Sequence, residues 1–183
     1  MSDVSTPSLE QLKYPIGHYE PPAQRDVAAI RQLIEAIEAL PSELEKAVLG
    51  MSKWQLDTPY RPEGWTVRQV VHHLADSHMN SLIRFKLALT EENPTIKPYF
   101  EDRWAKLEDS MEAPISISLN LIKPLHQRWG IVLRSMSTDD FTKTFLHPET
   151  QKTYDLFYAL GMYAWHGRHH TAQVTGLKKR MAW

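Results

Sequence analysis

The sequence predicts an all-α fold, a four-helix bundle with one short extra helix and a small hairpin. Three observations carry that prediction. Four long segments repeat apolar residues at the helical period. The one alternating stretch, Ile115-Ser116-Ile117-Ser118-Leu119, lies inside a much longer helical pattern that outweighs it. Six of the nine histidines fall in two short windows, each within a helical segment, and bundles commonly build metal sites between facing helices.

Residues 1–23 contain Tyr14-Pro15-Ile16-Gly17 and Glu20-Pro21-Pro22. They lack helical periodicity and read as an arm laid over the body. From Ala23 to Leu49, apolar residues at Val27, Ile30, Leu33, Ile34, Ile37 and Leu40 give the first helix, which Pro41 is expected to kink or restart. Asp57 to Gly64 is a loop by its Pro and Gly content. It delivers the chain to Thr66, whose hydroxyl forms a capping box with Gln69. The second helix follows from about Val67 to Glu91, and Phe100 to Leu107 adds a short helix. A third runs through Ile117, Leu121, Leu125, Trp129, Val132 and Met136, with a bend at Pro124. Phe141 to Thr153 suits a small extended hairpin, and the fourth helix runs from about Tyr154 to Arg180.

The chain's 183 residues suit one domain, spanning 1–183. Its 21 Lys+Arg against 22 Asp+Glu leave a formal charge of -1, without the basic footprint of a nucleic-acid binder. Lys178-Lys179-Arg180 is read as a helix C-terminus complementing its dipole. The absence of cysteine excludes disulfides, thiolate ligands and a cysteine nucleophile, so a metal must be held by nitrogen and oxygen, and thiol chemistry must import its thiol. Met1 to Ser5 lacks the regions of a signal peptide, and the apolar run Leu156 to Trp165 is too short to span a bilayer. The expectation is a cytoplasmic protein free of the membrane.

His166 and His170 stand four residues apart on one helical face, roughly 6 Å from each other, a separation at which both reach one ion. A third ligand is expected from Val70-Val71-His72-His73-Leu74-Ala75-Asp76-Ser77-His78. On a helical wheel Val67, Val70, Val71, Leu74, Leu82, Phe85 and Ala88 form the apolar stripe. His78 falls inside it, and His73 at its edge beside Gln69, Ser77, Asn80 and Arg84. His72 points about 150° away, toward solvent. A ligand needs the rim of the core and polar company for its second ring nitrogen, which makes His73 the first candidate and His78 the second. His169 lies to one side of the inward face. Gln173, one turn beyond His170, is placed to orient an imidazole or a ligand. Asp76, one turn beyond His73, reads either as a supporting carboxylate or as a solvated surface acid. Trp65, Trp129 and Trp165 read as core or interface aromatics. Three histidines leave a coordination position open, the catalytic form of a zinc site.

The stretches Asp57-Thr58-Pro59-Tyr60-Arg61, Gly64 through Asn80, Tyr14-Pro15-Ile16-Gly17 and Trp165-His166 to His170 together resemble the YfiT-like proteins of the DinB superfamily. The resemblance covers nearly the whole chain from Tyr14 onward. It implies an up-down-down-up four-helix bundle, frequently a homodimer, with one zinc or nickel ion on three histidines. Carried over by position, these are His73, His166 and His170. Such proteins are described as metal-dependent hydrolases, and relatives in the superfamily transfer a low-molecular-weight thiol such as bacillithiol or mycothiol to small electrophiles.

The first reading is a hydrolase, with a thiol S-transferase and a non-catalytic binding domain as alternatives. A hydrolase would use a water activated by the metal on a small-molecule electrophile, and since no Glu stands beside the histidines, Asp76 or the metal hydroxide alone would serve as base. A thiol S-transferase would deprotonate an imported thiol on the metal, with Tyr60, Arg61 and Arg84 available to hold its carboxylates. A binding domain stabilised by metal would turn nothing over.

Overall fold

The structure is a computed structural model that describes residues 7–183, so the expectation about Met1 to Ser5 lies outside the described residues. Four long helices dominate: α2 (Val27–Val48), α4 (Val67–Thr90), α7 (Ile115–Ser135) and α8 (Leu156–Met181). Each of three begins at a side chain that accepts an otherwise orphaned backbone N–H. Asp26 accepts from Ala29, Thr66 from Gln69 in a capping box, and Asp155 from Tyr158.

α2 packs on α7 and α8, and α4 packs on the same two, so α2 faces α4 across one diagonal and α7 faces α8 across the other. Consecutive helices on a diagonal, α2 with α4 and α7 with α8, need long crossovers, and the small elements lie in these and in the connection between the adjacent α4 and α7. Between α2 and α4 lies α3 (Lys53–Leu56), capped by Ser52 and Gln55. Between α4 and α7 lie α5 (Glu101–Trp104) and α6 (Glu108–Glu112). Between α7 and α8, a 3₁₀ turn (Asp139–Thr142) leads into an antiparallel hairpin of β1 (Thr144–His147) and β2 (Lys152–Asp155). Ile96 N donates to Leu146 O (3.0 Å) and Leu146 N to Pro94 O (2.9 Å), tying the segment after α4 to β1.

Several expectations need correction. The predicted short helix at Phe100 to Leu107 is the four residues of α5, while α3 and α6 were not anticipated, being too short to show a period. The arm is not free of helix: α1 (Leu9–Lys13) forms on its own capping box, Ser8 with Gln11. Beyond it the arm lies on α8, where Gln173 Nε2 donates to Lys13 O, Trp165 Nε1 to Gly17 O and Tyr19 Oη to Tyr158 O. Pro41 does not restart its helix, and α7 is likewise continuous through Pro124. Among the described residues no helix is long and apolar enough to cross a membrane.

The core is divided along the bundle. One apolar cluster contains Ile30, Ile34, Ile37, Phe85, Trp129, Leu133, Phe157 and Leu160, and the other Leu40, Leu44, Val70, Val71, Leu74, Ile122, Val174 and Leu177. In α4, α7 and α8 the residues between the clusters are polar: Ser77, His78 and Ser81, then His126, then His169, His170 and Gln173, all buried. A histidine layer thus crosses the bundle at mid-height.

Helix α8 approaches α2 closely through Gly167, where an added Cβ would lie 2.6 Å from Leu40 Cδ2. Gly167→Ala should therefore cost about 1–3 kcal/mol in urea denaturation. Gly176, also in α8, has nothing nearer than Arg180 Nη1 at 3.5 Å. Gly176→Ala should stabilise by about 0.5–1 kcal/mol on helix propensity alone.

Candidate metal centre

Three imidazoles converge from two adjacent helices. His73 of α4 and His166 and His170 of α8 each offer one ring nitrogen, and these nitrogens all lie within 4.8 Å of one another. His73 Nε2 and His166 Nε2 are 3.2 Å apart. Two ligands of a tetrahedral ion with metal–nitrogen bonds of about 2.05 Å stand about 3.3 Å from each other. Trp65, at the entry to α4, covers the group, its ring 4.6 Å from that of His73 and stacked at 6.2 Å on that of His170.

The protonation of His166 is dictated from a distance. Pro41 has no N–H, so the carbonyl of Ile37 one turn earlier lacks its helical donor. His126 fills that role: its Nδ1–H donates to Ile37 O at 2.6 Å. His126 Nε2 must then accept, and it takes the Nδ1–H of His78 at 3.0 Å. His78 Nε2 in turn accepts from His166 Nδ1–H at 3.3 Å. The chain leaves the lone pair of His166 on Nε2, facing His73.

His170 is fixed more directly. Gln173 Nε2 donates to Lys13 O, so its Oε1 is the acceptor, and it takes the Nδ1–H of His170 at 2.8 Å. That leaves Nε2 of His170 bare as well. Burial holds every one of these rings neutral: it pushes His73 and His126 down to about 4, and His78, His166 and His170 well below the ordinary histidine value. Neutral imidazoles with lone pairs turned to one point repel unless a proton or a cation sits among them. The residues therefore fit a metal ion, and the donor set of three nitrogens suits zinc, nickel or copper rather than magnesium or calcium.

The other site residues named from sequence fall in different places. His78 is fully buried and behind His166, outside the convergent three. His72 does not meet solvent: it is 5% exposed, with Nδ1 at 2.7 Å from Ser118 Oγ and Nε2 at 3.2 Å from Ala113 O. The wheel assumed one solvated face, but the first half of α4 is covered by α7 on one side, α8 on another and α6 on a third. His169 stacks on Trp165 and pairs with Gln173, away from the three nitrogens. Asp76 makes no hydrogen bond to these imidazoles. Burial first, and the nearby Asp109 second, raise its carboxyl to about 6. Sequence reasoning missed His126, although its spacing from Ile122 and Trp129 puts it on the buried stripe of α7.

A cavity of about 370 Å³ opens over the three histidines. Trp65, Pro98 and Met162 give it apolar surface, and Ser77, Arg84, Tyr99, His147 and Tyr163 give it polar groups. Glu101 and Glu149 also border it, both exposed at its mouth. A second cavity of about 510 Å³ reaches the site from the arm side, past Lys13, Tyr60, Arg61 and Gln173, and shares Trp65 and His170 with the first.

His126 makes the layer sensitive to acid. In the unfolded chain it takes a proton as pH falls through 6.5, whereas the folded protein refuses one down to about 4. The unfolded state binds more protons across that window, so stability drops as pH falls through it. The urea midpoint of protein treated with chelator should fall between pH 7 and pH 4.5, and less steeply in His126→Gln.

Comparison with known proteins agrees with this geometry. The DinB superfamily profile matches residues 36–174. Over 177 residues, covering 96% of this chain and 100% of each relative, the sequence is 55% identical to proteins from Bacillus cereus and Bacillus anthracis, each named "Putative metal-dependent hydrolase". A solved structure, YfiT from Bacillus subtilis, matches with a TM-score of 0.92 at 51% identity, covering 94% of this chain and 99% of that one. It is described as "a probable metal-dependent hydrolase with an unusual four-helix bundle topology". With its diagonal crossovers, its profile match and these relatives over almost its full length, this chain belongs to the DinB superfamily.

Proposed function

We propose that the protein is a metal-dependent hydrolase of small molecules, with His73, His166 and His170 as the ligands of one divalent ion, zinc by preference and nickel as the other candidate. The observation that carries this reading is the convergence of three neutral imidazole nitrogens, two with lone pairs fixed by their outer partners, beneath an open cavity. When bound, such an ion supplies a Lewis acid that lowers the pKa of a water in its open position.

The chain does the rest. Gln173 and the His126–His78 pair hold two ligands in one tautomer and one orientation, so little reorganisation accompanies binding. Trp65 shields one side of the histidines from water, and Met162 and Pro98 give a small substrate an apolar wall. Glu101 and Glu149 are the carboxylates on the cavity and the groups able to receive a proton released there. Asp76, off the cavity, is not.

A second reading has its own observation. The arm-side cavity, with Lys13, Tyr60 and Arg61 on its wall, meets the first at His170, and two clefts at one centre suit a reaction with two substrates. Thiol S-transfer to a small electrophile is such a reaction, and it needs no separate base. Ester hydrolysis without thiol, set against electrophile consumption with bacillithiol, decides between the two. Turnover in neither assay would leave a metal-stabilised binding domain.

Metal analysis after loading should give one ion per chain. Alanine at His73, His166 or His170 should sharply lower that content, whereas His72→Ala and His169→Ala should retain it. Retention by the triple alanine variant would refute the ligand assignment. His126→Phe leaves all three ligands in place but frees His78 to turn. It should weaken metal affinity by about tenfold to hundredfold in a competition titration.

A further inference from the structure

Arg84 is the cation of the cavity, and among the described residues its hydrogen bonding is incomplete. It projects from α4, and its Nη1 donates to Tyr163 Oη at 2.7 Å. Its Nε–H is buried and has no acceptor. None of the ion pairs among the described residues includes it. An ionised donor shut away without a partner is costly, and such groups concentrate where a ligand completes them. His147 Nδ1, on the same cavity, is likewise buried and unpartnered.

The placement relative to the histidines is short. Tyr163 stands between, its ring 6.2 Å from that of His166, with its hydroxyl on Arg84. Tyr99 faces the same space, and burial pushes its phenol up to about 12, so it remains a donor at neutral pH. Burial and the Arg84 charge keep His147 neutral. Glu101 and Glu149 border the mouth, but both are exposed and screened by solvent. With Nη1 engaged, the edge of the guanidinium that remains presents Nε–H beside Nη2, the two-pronged arrangement that carboxylates accept.

We infer that the substrate carries a carboxylate, which Arg84 binds through its free edge while the reacting end of the same molecule lies over His73, His166 and His170. This rests on the metal reading above and adds the substrate class to it: a small organic acid or acyl derivative whose reacting carbonyl is several bonds from the carboxylate. Tyr99 and His147 complete the subsite, and Tyr163 sets the angle of the guanidinium.

Two metal-binding probes test it in protein loaded with cobalt: succinic acid monohydroxamate, with a carboxylate tail, and butyrohydroxamate, its neutral counterpart. Visible absorption reports binding of each. The carboxylated probe should bind about tenfold to hundredfold tighter, the worth of a hydrogen-bonded charge pair. Arg84→Met should erase that preference while leaving cobalt content and butyrohydroxamate affinity unchanged, and Arg84→Lys should restore part of it. Tyr163→Phe, which frees the guanidinium from its orienting hydroxyl but keeps the charge, should lower the preference without abolishing it and so separates a charge effect from a packing one. Equal affinity for the two probes in the wild type, or a preference that survives Arg84→Met, overturns the subsite and leaves the metal reading standing. A cobalt spectrum indifferent to both probes overturns the metal reading and this inference with it.

Discussion

The carbonyl of Ile37 is the fixed point of this protein. A proline at position 41 in a helix interior ordinarily costs about 3 kcal/mol, because it removes a donor and crowds the carbonyl one turn back. Here the freed carbonyl is occupied by His126 at 2.6 Å, and the proton order it imposes passes through His78 to His166. One missing backbone N–H therefore determines which nitrogen of a candidate ligand faces the cavity, three imidazoles away. The helix continues unbroken because that carbonyl is satisfied sideways, from a neighbouring helix.

The same layer explains why the two apolar clusters remain separate. Polar side chains at mid-bundle lose water on folding, and each costs free energy unless paired. Pairing is nearly complete along the chain from Ile37 to His166 and from Lys13 through Gln173 to His170. The gap is at the centre, where His73 and His166 turn Nε2 atoms toward each other. An apolar layer of similar volume would stabilise the bundle more cheaply. A layer whose two outer chains turn the bare nitrogens of His166 and His170 toward its middle is what a bound ion would complete.

Much of this was legible in the sequence. The four long helices were, because 3.6-residue periodicity accumulates over more than twenty residues. The pairing of His166 with His170 follows from their spacing, and the choice of His73 from its place at the edge of the apolar stripe. What escaped was set by tertiary context. A restart of the helix at Pro41 was one expectation from local sterics, which know nothing of His126, and the helix instead runs on through it. His72 was assigned to solvent by a wheel with one wet face, yet α4 is covered on three sides where His72 lies. Asp76 was considered as a base because it sits one turn from His73, and the structure instead leaves it beside Asp109. Helices of four or five residues, α1, α3, α5 and α6, leave no periodic signature, although the capping boxes at Ser8 and Ser52 were there to be read.

The site divides into parts of different structural origin. His73, His166 and His170, with the residues that fix their protons, belong to the long helices and are held by packing between the two cores. Tyr99 and Glu101 come from the long connection between the adjacent helices α4 and α7, and His147 and Glu149 from the crossover that joins α7 to α8 across a diagonal. The backbone pairing of Pro94 and Ile96 with Leu146 brings those two connections together over the cavity. The geometry of the three candidate ligands thus depends on helices that cannot shift without breaking the core, while much of the surrounding wall depends on loops that can change at little cost in stability. Arg84, with Ser77 of the same helix and Met162 and Tyr163 of α8, is a wall residue carried by a long helix, and so its position relative to the histidines is fixed by the fold itself.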